Sequence, residues 1–224
     1  MIWEFLTGTP LFYDIVPEDI EDLLSCLNAK QESFPKDNII YHTGDTIRAL
    51  GVILSGSVSI EHIDFWGNRI LLDQAGSGQV FAETYACLQE TPLMVDVLAA
   101  EDCKILFLEL DRLLLFCHNA CGCHNLLIRN LLTISAQKNL ALSRRSLHTA
   151  PKSIRERLLS YLSFQAVQQN RNDFDIPFNR QQLADYLNVD RSALSHELSK
   201  MQREGLLAVH KNHFCLKSMT HTTS

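Results

Sequence analysis

No stretch of this 224-residue chain approaches the roughly 18 consecutive apolar residues that a membrane-crossing helix needs, so no such helix is expected. Glycine and proline are scarce, nine and six, which excludes a collagen-like or low-complexity chain. The opening residues, MIWEFLTGTP, lack the basic stretch of an export signal and carry Glu4. The chain is therefore expected in the cytoplasm, with its seven cysteines as thiols, ligands or core residues rather than a disulfide framework. There is no internal repeat. The parts of an enzyme are missing too: no nucleophile–base set and no paired carboxylates stand out. His42 and His62 are isolated on separate strand runs, where a metal-dependent barrel enzyme would carry an HxH motif. The expectation is a protein without catalysis.

What is present is an ordinary apolar share, 46%, enough to bury a sizeable core. The net charge of −6 is unevenly spread. Residues 1–149 carry 10 Lys/Arg against 19 Asp/Glu, and residues 150–224 carry 10 against 7. An acidic front and a basic rear suggest two modules, with any polyanionic partner docking on the second.

The apolar pattern divides the chain further. Pro17 opens a helix with Ile20, Leu23, Leu24 and Leu27 at helical spacing. From Glu32 to about Leu110 the runs are short and β-rich, as in Val52-Ile53-Leu54, Val58-Ser59-Ile60 and Ile105-Leu106-Phe107, with glycines between them. That pattern predicts an antiparallel barrel or sandwich. Trp66-Gly67-Asn68 reads as a hairpin tip. After Leu110 the pattern is helical. Leu127, Leu131, Ile134 and Ala141 form an approximate heptad seam, and Leu126, Thr133 and Leu140 form a second stripe. A helix of about 25 residues so patterned is either a core helix on its own domain or, the favoured reading, a dimer helix with the first stripe as its interface. Pro151 marks a hinge at His148-Thr149-Ala150-Pro151.

Residues 179–207, NRQQLADYLNVDRSALSHELSKMQREGLL, carry the functional signal. Leu183, Leu187, Val189, Leu194 and Leu198 supply the apolar register, and Ala184 is small where two helices would cross. Asn188 suits the left-handed turn, and Asp190 can cap a helix starting at Arg191. This is helix-turn-helix spacing. The second helix presents Arg191, Ser192, Ser195, His196 and Ser199 on one polar face, side chains able to reach base edges and phosphates in a major groove. Leu206 to Val209 and His213 to Leu216 flank Lys211-Asn212 as a β-hairpin wing with a lysine at its tip. Arg180, at the start of the first helix, completes the candidate DNA contacts.

In this order of parts the chain resembles the cyclic-AMP receptor/fumarate-nitrate regulator (Crp/Fnr) family of bacterial transcription regulators. The resemblance spans nearly the whole chain and includes His42-Thr43-Gly44-Asp45 and Val80-Phe81-Ala82-Glu83. It implies an α+β chain: an N-terminal antiparallel β-barrel of the cyclic-nucleotide-binding jelly-roll type (1–115), a long dimerisation helix with hinge (116–149), and a C-terminal winged helix-turn-helix (150–224). It also implies a homodimer on near-palindromic double-stranded DNA, RNA polymerase as a further partner, and a small-molecule effector in the barrel.

The chain departs from the family where a cyclic nucleotide would be held. Glu83 is present, but Ala82 replaces a glycine, and Leu93 and Met94 stand where Arg-Ser holds the phosphate. A cyclic phosphate needs a cation or several donors, and neither side chain supplies them. Lys138 and Asn139 fall at the base-contacting positions of the long helix, and Lys138 brings one positive charge back. The expected effector is not cyclic AMP. In the reading helix, the family's Ser-Arg pair is Ser195-His196, and His196 lacks a bidentate fork.

The remaining feature is Cys117-His118-Asn119-Ala120-Cys121-Gly122-Cys123-His124. Cys117, Cys121, Cys123 and His124 are candidate metal ligands or redox thiols, or else small core residues at a helix junction. A redox-, metal- or haem-responsive regulator of the same family is the open alternative, with His42, His62, His118 and His124 the candidate haem ligands. An iron–sulfur cluster would use an N-terminal cysteine run, where this chain has only Cys26. No cofactor is assigned.

Overall fold

The structure is a computed structural model that describes residues 2–67, 69–88, 90–114 and 122–217. In chain order the elements are α1 (Ile2–Thr7), α2 (Pro17–Cys26), β1 (Lys30–Phe34), β2 (Ile39–Tyr41), β3 (Ala49–Ser55), β4 (Ser57–Ile63), β5 (Arg69–Gly76), β6 (Val80–Phe81), α3 (Glu83–Leu88), β7 (Asp96–Ala99), β8 (Cys103–Glu109) and α4 (Leu110–Leu114). There follow α5 (Gly122–Thr149), α6 (Ile154–Gln169), β9 (Asp173–Asp175), α7 (Arg180–Leu187), α8 (Arg191–Arg203), β10 (Leu207–His210) and β11 (His213–Leu216). By packing, the chain divides into two units, Met1–Gln137 and Lys138–Ser224. The division falls inside α5, ten residues before His148, the first residue of the expected hinge. Pro151 ends a helix, but it does not mark where packing changes partners.

The first unit holds two four-stranded antiparallel sheets, ordered β1-β8-β3-β6 and β2-β7-β4-β5. The two sheets share a core between them in the expected jelly-roll manner, and neither strand order closes on itself. β3 and β8 are apolar on both faces, which explains why Val52-Ile53-Leu54 does not alternate with polar residues. Ile53 and Ile105 face the other sheet, packing with Val58, Phe81, Val97 and Ala99. Leu50, Val52, Leu106 and Leu108 face outward onto α1, α2 and the first turns of α5. Gly51 lies under Phe81: a Cβ there would come within 2.3 Å of the ring. The hairpin tip is where the sequence placed it, closed by Gly67 N–H donating to Asp64 O at 3.0 Å, with Gly67 at φ +81°.

Leu127 and Leu131 are buried in the core under α1 and α2, and Ile134 packs against it. Of the expected seam, Leu127 and Leu131 therefore face the helix's own unit, because apolar residues at helical spacing serve a helix's own domain as readily as a partner. Asn130 on the same helix donates to Leu11 O and Tyr13 O, pinning the N-terminal segment. The exposed apolar stripe lies across the helix. Leu132, Leu140 and Leu147 are 65%, 50% and 60% exposed. With Ala136 and Ser143 they span a band of only about 80°, taking 3.6 residues per turn. Ala141, the fourth residue of the expected seam, is exposed but lies outside that band.

The second unit is a winged helix-turn-helix. Leu158, Leu162, Leu183, Leu187, Leu194, Leu198 and Phe214 form its core. Fully burying each such side chain contributes about 1.5–3 kcal/mol. Two capping boxes start its helices, Ser153 with Glu156 on α6 and Asn179 with Gln182 on α7, each stabilising by about 1 kcal/mol.

Candidate nucleic-acid interface

The site begins with a turn. Asn188 adopts left-handed geometry (φ 53°, ψ 57°) and ends α7, and the Asp190 side chain accepts from Ala193 N–H to start α8. Ala184 is fully buried, which lets the two helices approach closely. Leu194, Leu198 and Met201 bury one face of α8. The opposite face carries Arg191, Ser192, His196 and Ser199 in solvent, with Ser195 half-buried. The serine hydroxyl protons are already committed: Ser192 donates to Asp190 Oδ1, Ser195 to Arg191 O and Ser199 to Ser195 O. In this arrangement the three serines face outward as acceptors. The Arg191 and His196 side chains make no hydrogen bond or ion pair among the described residues. They are the donors of this face.

Arg155 on α6 holds α8 from behind. Its Nε donates to Glu197 at 2.6 Å, and its other nitrogens reach Glu204 at 2.7 and 3.0 Å. The guanidinium keeps the Glu204 carboxyl below its usual range. The wing is held by Arg180, whose guanidinium lies 5.7 Å from the Phe214 ring centre and donates to Lys211 O. The structure thus places this expected DNA contact against the wing, bracing the carbonyl of its tip. Lys211 itself is exposed at the tip, with φ +56°.

Three features carried no sequence signal. Beside the tip, His213 sits between Asp173 (2.5 Å) and Asp175 (3.0 Å), and the two carboxylates raise its pKa. Arg145 and Arg157 donate to backbone carbonyls at the end of α7. His148 is 1% exposed, packed edge-on to Tyr161 and Phe164, with Nδ1 3.0 Å from Ser160 Oγ.

In the first unit, Ala82 takes left-handed geometry (φ +63°), the conformation for which a glycine is suited. Glu83 is buried at the start of α3. Leu93 and Met94 point apart: Leu93 is 2% exposed inside the sheet core, while Met94 is 69% exposed. Tyr85 Oη lies 3.4 Å from Met94 N. Lys138 and Asn139 belong to the second unit. Cys117 and Cys121, like His118, lie outside the described residues. Cys123 packs in the core under α1 and α2, and His124 is buried. Among the described residues no group of three His, Cys, Asp or Glu could hold a metal ion, and no helix is long and apolar enough to cross a membrane.

Residues 31–120 match the model of the cyclic nucleotide-binding domain, and residues 156–220 match the Crp-like helix-turn-helix domain. A curated relative, the cyclic AMP receptor protein of Thermus thermophilus, is 29% identical over 103 residues. That match spans about half of each protein, 46% of this chain and 46% of the relative. The crystal structure of the Thermus thermophilus catabolite activator protein is 22% identical, covering 93% of this chain and 94% of the other at a TM-score of 0.50. The c-di-GMP-responsive regulator CLP of Xanthomonas campestris shares the fold at a TM-score of 0.57 and 20% identity, covering 91% and 100%. CprK complexed with OCPA does so at 0.63 and 15%, covering 90% and 92%.

Proposed function

With a cyclic nucleotide-binding domain followed by a Crp-like helix-turn-helix, the chain belongs to the Crp/Fnr family of DNA-binding transcription regulators, and from that premise we propose that it acts as a homodimer in which two α8 helices read the halves of a near-palindromic site. The observation that carries this reading is the outward face of α8. Two exposed donors, Arg191 and His196, and three acceptor serines stand on a helix whose back is locked by Leu194, Leu198 and the Arg155 fork. Such a face suits a major groove, where bases present both donors and acceptors. Lys211 reaches the neighbouring phosphates.

The exposed band of Leu132, Leu140 and Leu147 supports association through α5, because an apolar band on a long helix is stabilised by a second copy of itself. The sandwich unit takes a ligand other than a cyclic nucleotide. Leu93 fills the core where a phosphate-holding cation would be needed, and burying an unpaired phosphate there would cost several kcal/mol. The packing of Cys123 in the core supports a structural role for that thiol.

Selection of sites from random duplexes, followed by variants, tests the reading. Arg191→Ala is expected to cost about 1–3 kcal/mol on the selected site and little on random DNA. Lys211→Ala weakens both and lowers the salt slope by about one. Equal loss on selected and random duplexes for Arg191→Ala would remove the base-reading role.

A further inference from the structure

The end of α7 is held in an unusual way. Arg145, on the last turns of α5, donates from Nε to Tyr186 O at 3.2 Å and from Nη2 to Asp185 O at 3.0 Å. Arg157, on α6, donates from Nη1 to Leu187 O and Asn188 O at 3.0 and 2.9 Å, and from Nε to Pro151 O at 2.8 Å. Four successive carbonyls, 185 to 188, are thereby taken by two guanidinium groups. The end of a helix leaves its last carbonyls short of backbone donors, here with only Asn188 N–H, among the described residues, reaching Asp185 O at 3.2 Å, and carries the negative end of the dipole, so cations are favoured there. The turn that follows, Asn188 to Asp190, sets where α8 begins.

The two arginines differ in what they connect. Arg157 ties the turn to α6 and Pro151, within the winged fold. Arg145 ties it to α5. The same turns of α5 are embedded beside it: His148 is buried among Tyr161, Phe164 and Tyr186, and Arg144 lies over Phe164 at 5.5 Å. Across the helix from Arg145, Leu140 and Leu147 face solvent.

We propose that Arg145 is a positioning residue that fixes the spacing between the two half-sites, by locking the α7–α8 pair to the stretch of α5 that joins the copies. The proposal rests on the dimeric DNA-binding reading above. The path from seam to reading helix is short: one helix diameter, one guanidinium, one turn. A rotation of α8 about that path changes the separation of the two reading helices, which must match one helical turn of DNA, about 34–36 Å. An aromatic contact alone tolerates sliding, whereas a fork on two adjacent carbonyls fixes both distance and direction.

The test uses the full-length chain and three duplexes: the selected operator, the same operator with one base pair inserted or removed at its centre, and a single half-site. For Arg145→Gln, the preference for the correct spacing is expected to fall by about tenfold, the loss of roughly one charge-assisted hydrogen bond. Half-site affinity and salt slope stay at the wild-type values, because no phosphate contact is removed. Arg145→Lys, a point charge without a fork, lies between. Arg144→Gln, which touches no α7 carbonyl, leaves the spacing preference intact. A thermal melt accompanies each variant, and if the glutamine variant melts early the ratio is read on the lysine variant. An unchanged spacing preference in a folded variant overturns the proposal. Equal loss on half-site and full site also overturns it, since Arg145 would then contact DNA directly. If the wild-type protein itself does not distinguish paired from single half-sites, the dimeric reading fails first and takes the proposal with it.

Discussion

His148 gives the winged unit a distinct acid sensitivity. Its imidazole is buried beside Tyr161, Phe164 and Tyr186, at ring distances of 5.6, 5.2 and 6.2 Å, and burial pushes its pKa below the usual 6.5. The folded unit therefore holds a neutral ring, while the unfolded chain takes up a proton near pH 6.5. Above that pH neither state is protonated and the group is silent. Below it, only the unfolded state gains the proton, so stability falls until the native pKa is reached. The slope is bounded by one proton, about 1.4 kcal/mol per pH unit. Other groups act outside this window. Glu156, Asp190 and Glu204 have lowered pKa values and lose their contribution only as pH falls through the carboxylate range. His213, with a raised pKa, contributes fully below 6.5 and loses its contribution as pH rises through its folded value. His148→Phe keeps a ring in the same nest and gives up the Ser160 hydrogen bond, a cost of about 1 kcal/mol. Urea titrations followed by circular dichroism at pH 7.5, 6.5 and 5.5 decide the matter. The wild-type protein should lose stability toward pH 5.5, and the variant should start lower but fall less. Parallel curves would refute the assignment of the proton to His148.

Three further outcomes follow from the sandwich unit and α5. Ala82→Gly should raise stability by about 0.5–1 kcal/mol, because relief of left-handed strain exceeds the entropy glycine adds to the unfolded chain; a lower melting temperature would show the methyl group matters more. Leu127→Ala should destabilise by about 2–5 kcal/mol without changing association, whereas Leu140→Glu should give folded monomers in sedimentation. A monomeric Leu127→Ala with normal melting would return the seam to the inner face. Calorimetry should detect no binding of cyclic AMP or cyclic GMP at millimolar concentration; tight binding would show that another cation has replaced the missing arginine.

The parts of the fold that depend on local pattern were legible in the sequence. Asn188 and Asp190 announce a turn and a cap, and the structure uses both that way. Glycine-punctuated strand runs gave the two sheets, though not their open edges. The inward and outward faces of α5 were not separable, because Leu127, Leu131, Leu132 and Leu140 are equally apolar and only the sandwich decides which are covered. Arg145 and Arg157 were invisible because their acceptors are backbone carbonyls, which every residue possesses. Arg180 read as a DNA contact from its place at the helix start; that Phe214, 34 positions later, lies beneath it is a fact of tertiary structure.

Gly51 and Phe81 make two positions into one unit of inheritance. A side chain at 51 meets the Phe81 ring at 2.3 Å and Ile105 Cγ2 at 3.1 Å, an overlap that the packed sheet cannot absorb. A smaller residue at 81 leaves only a cavity, which is costly but survivable. A lineage that exchanges this pair must therefore travel in one direction, giving up the ring first and filling the space from position 51 afterwards. The reverse order passes through a chain that cannot close its sheets. Descendants of this sequence should show a larger residue at 51 only where the ring at 81 has already gone.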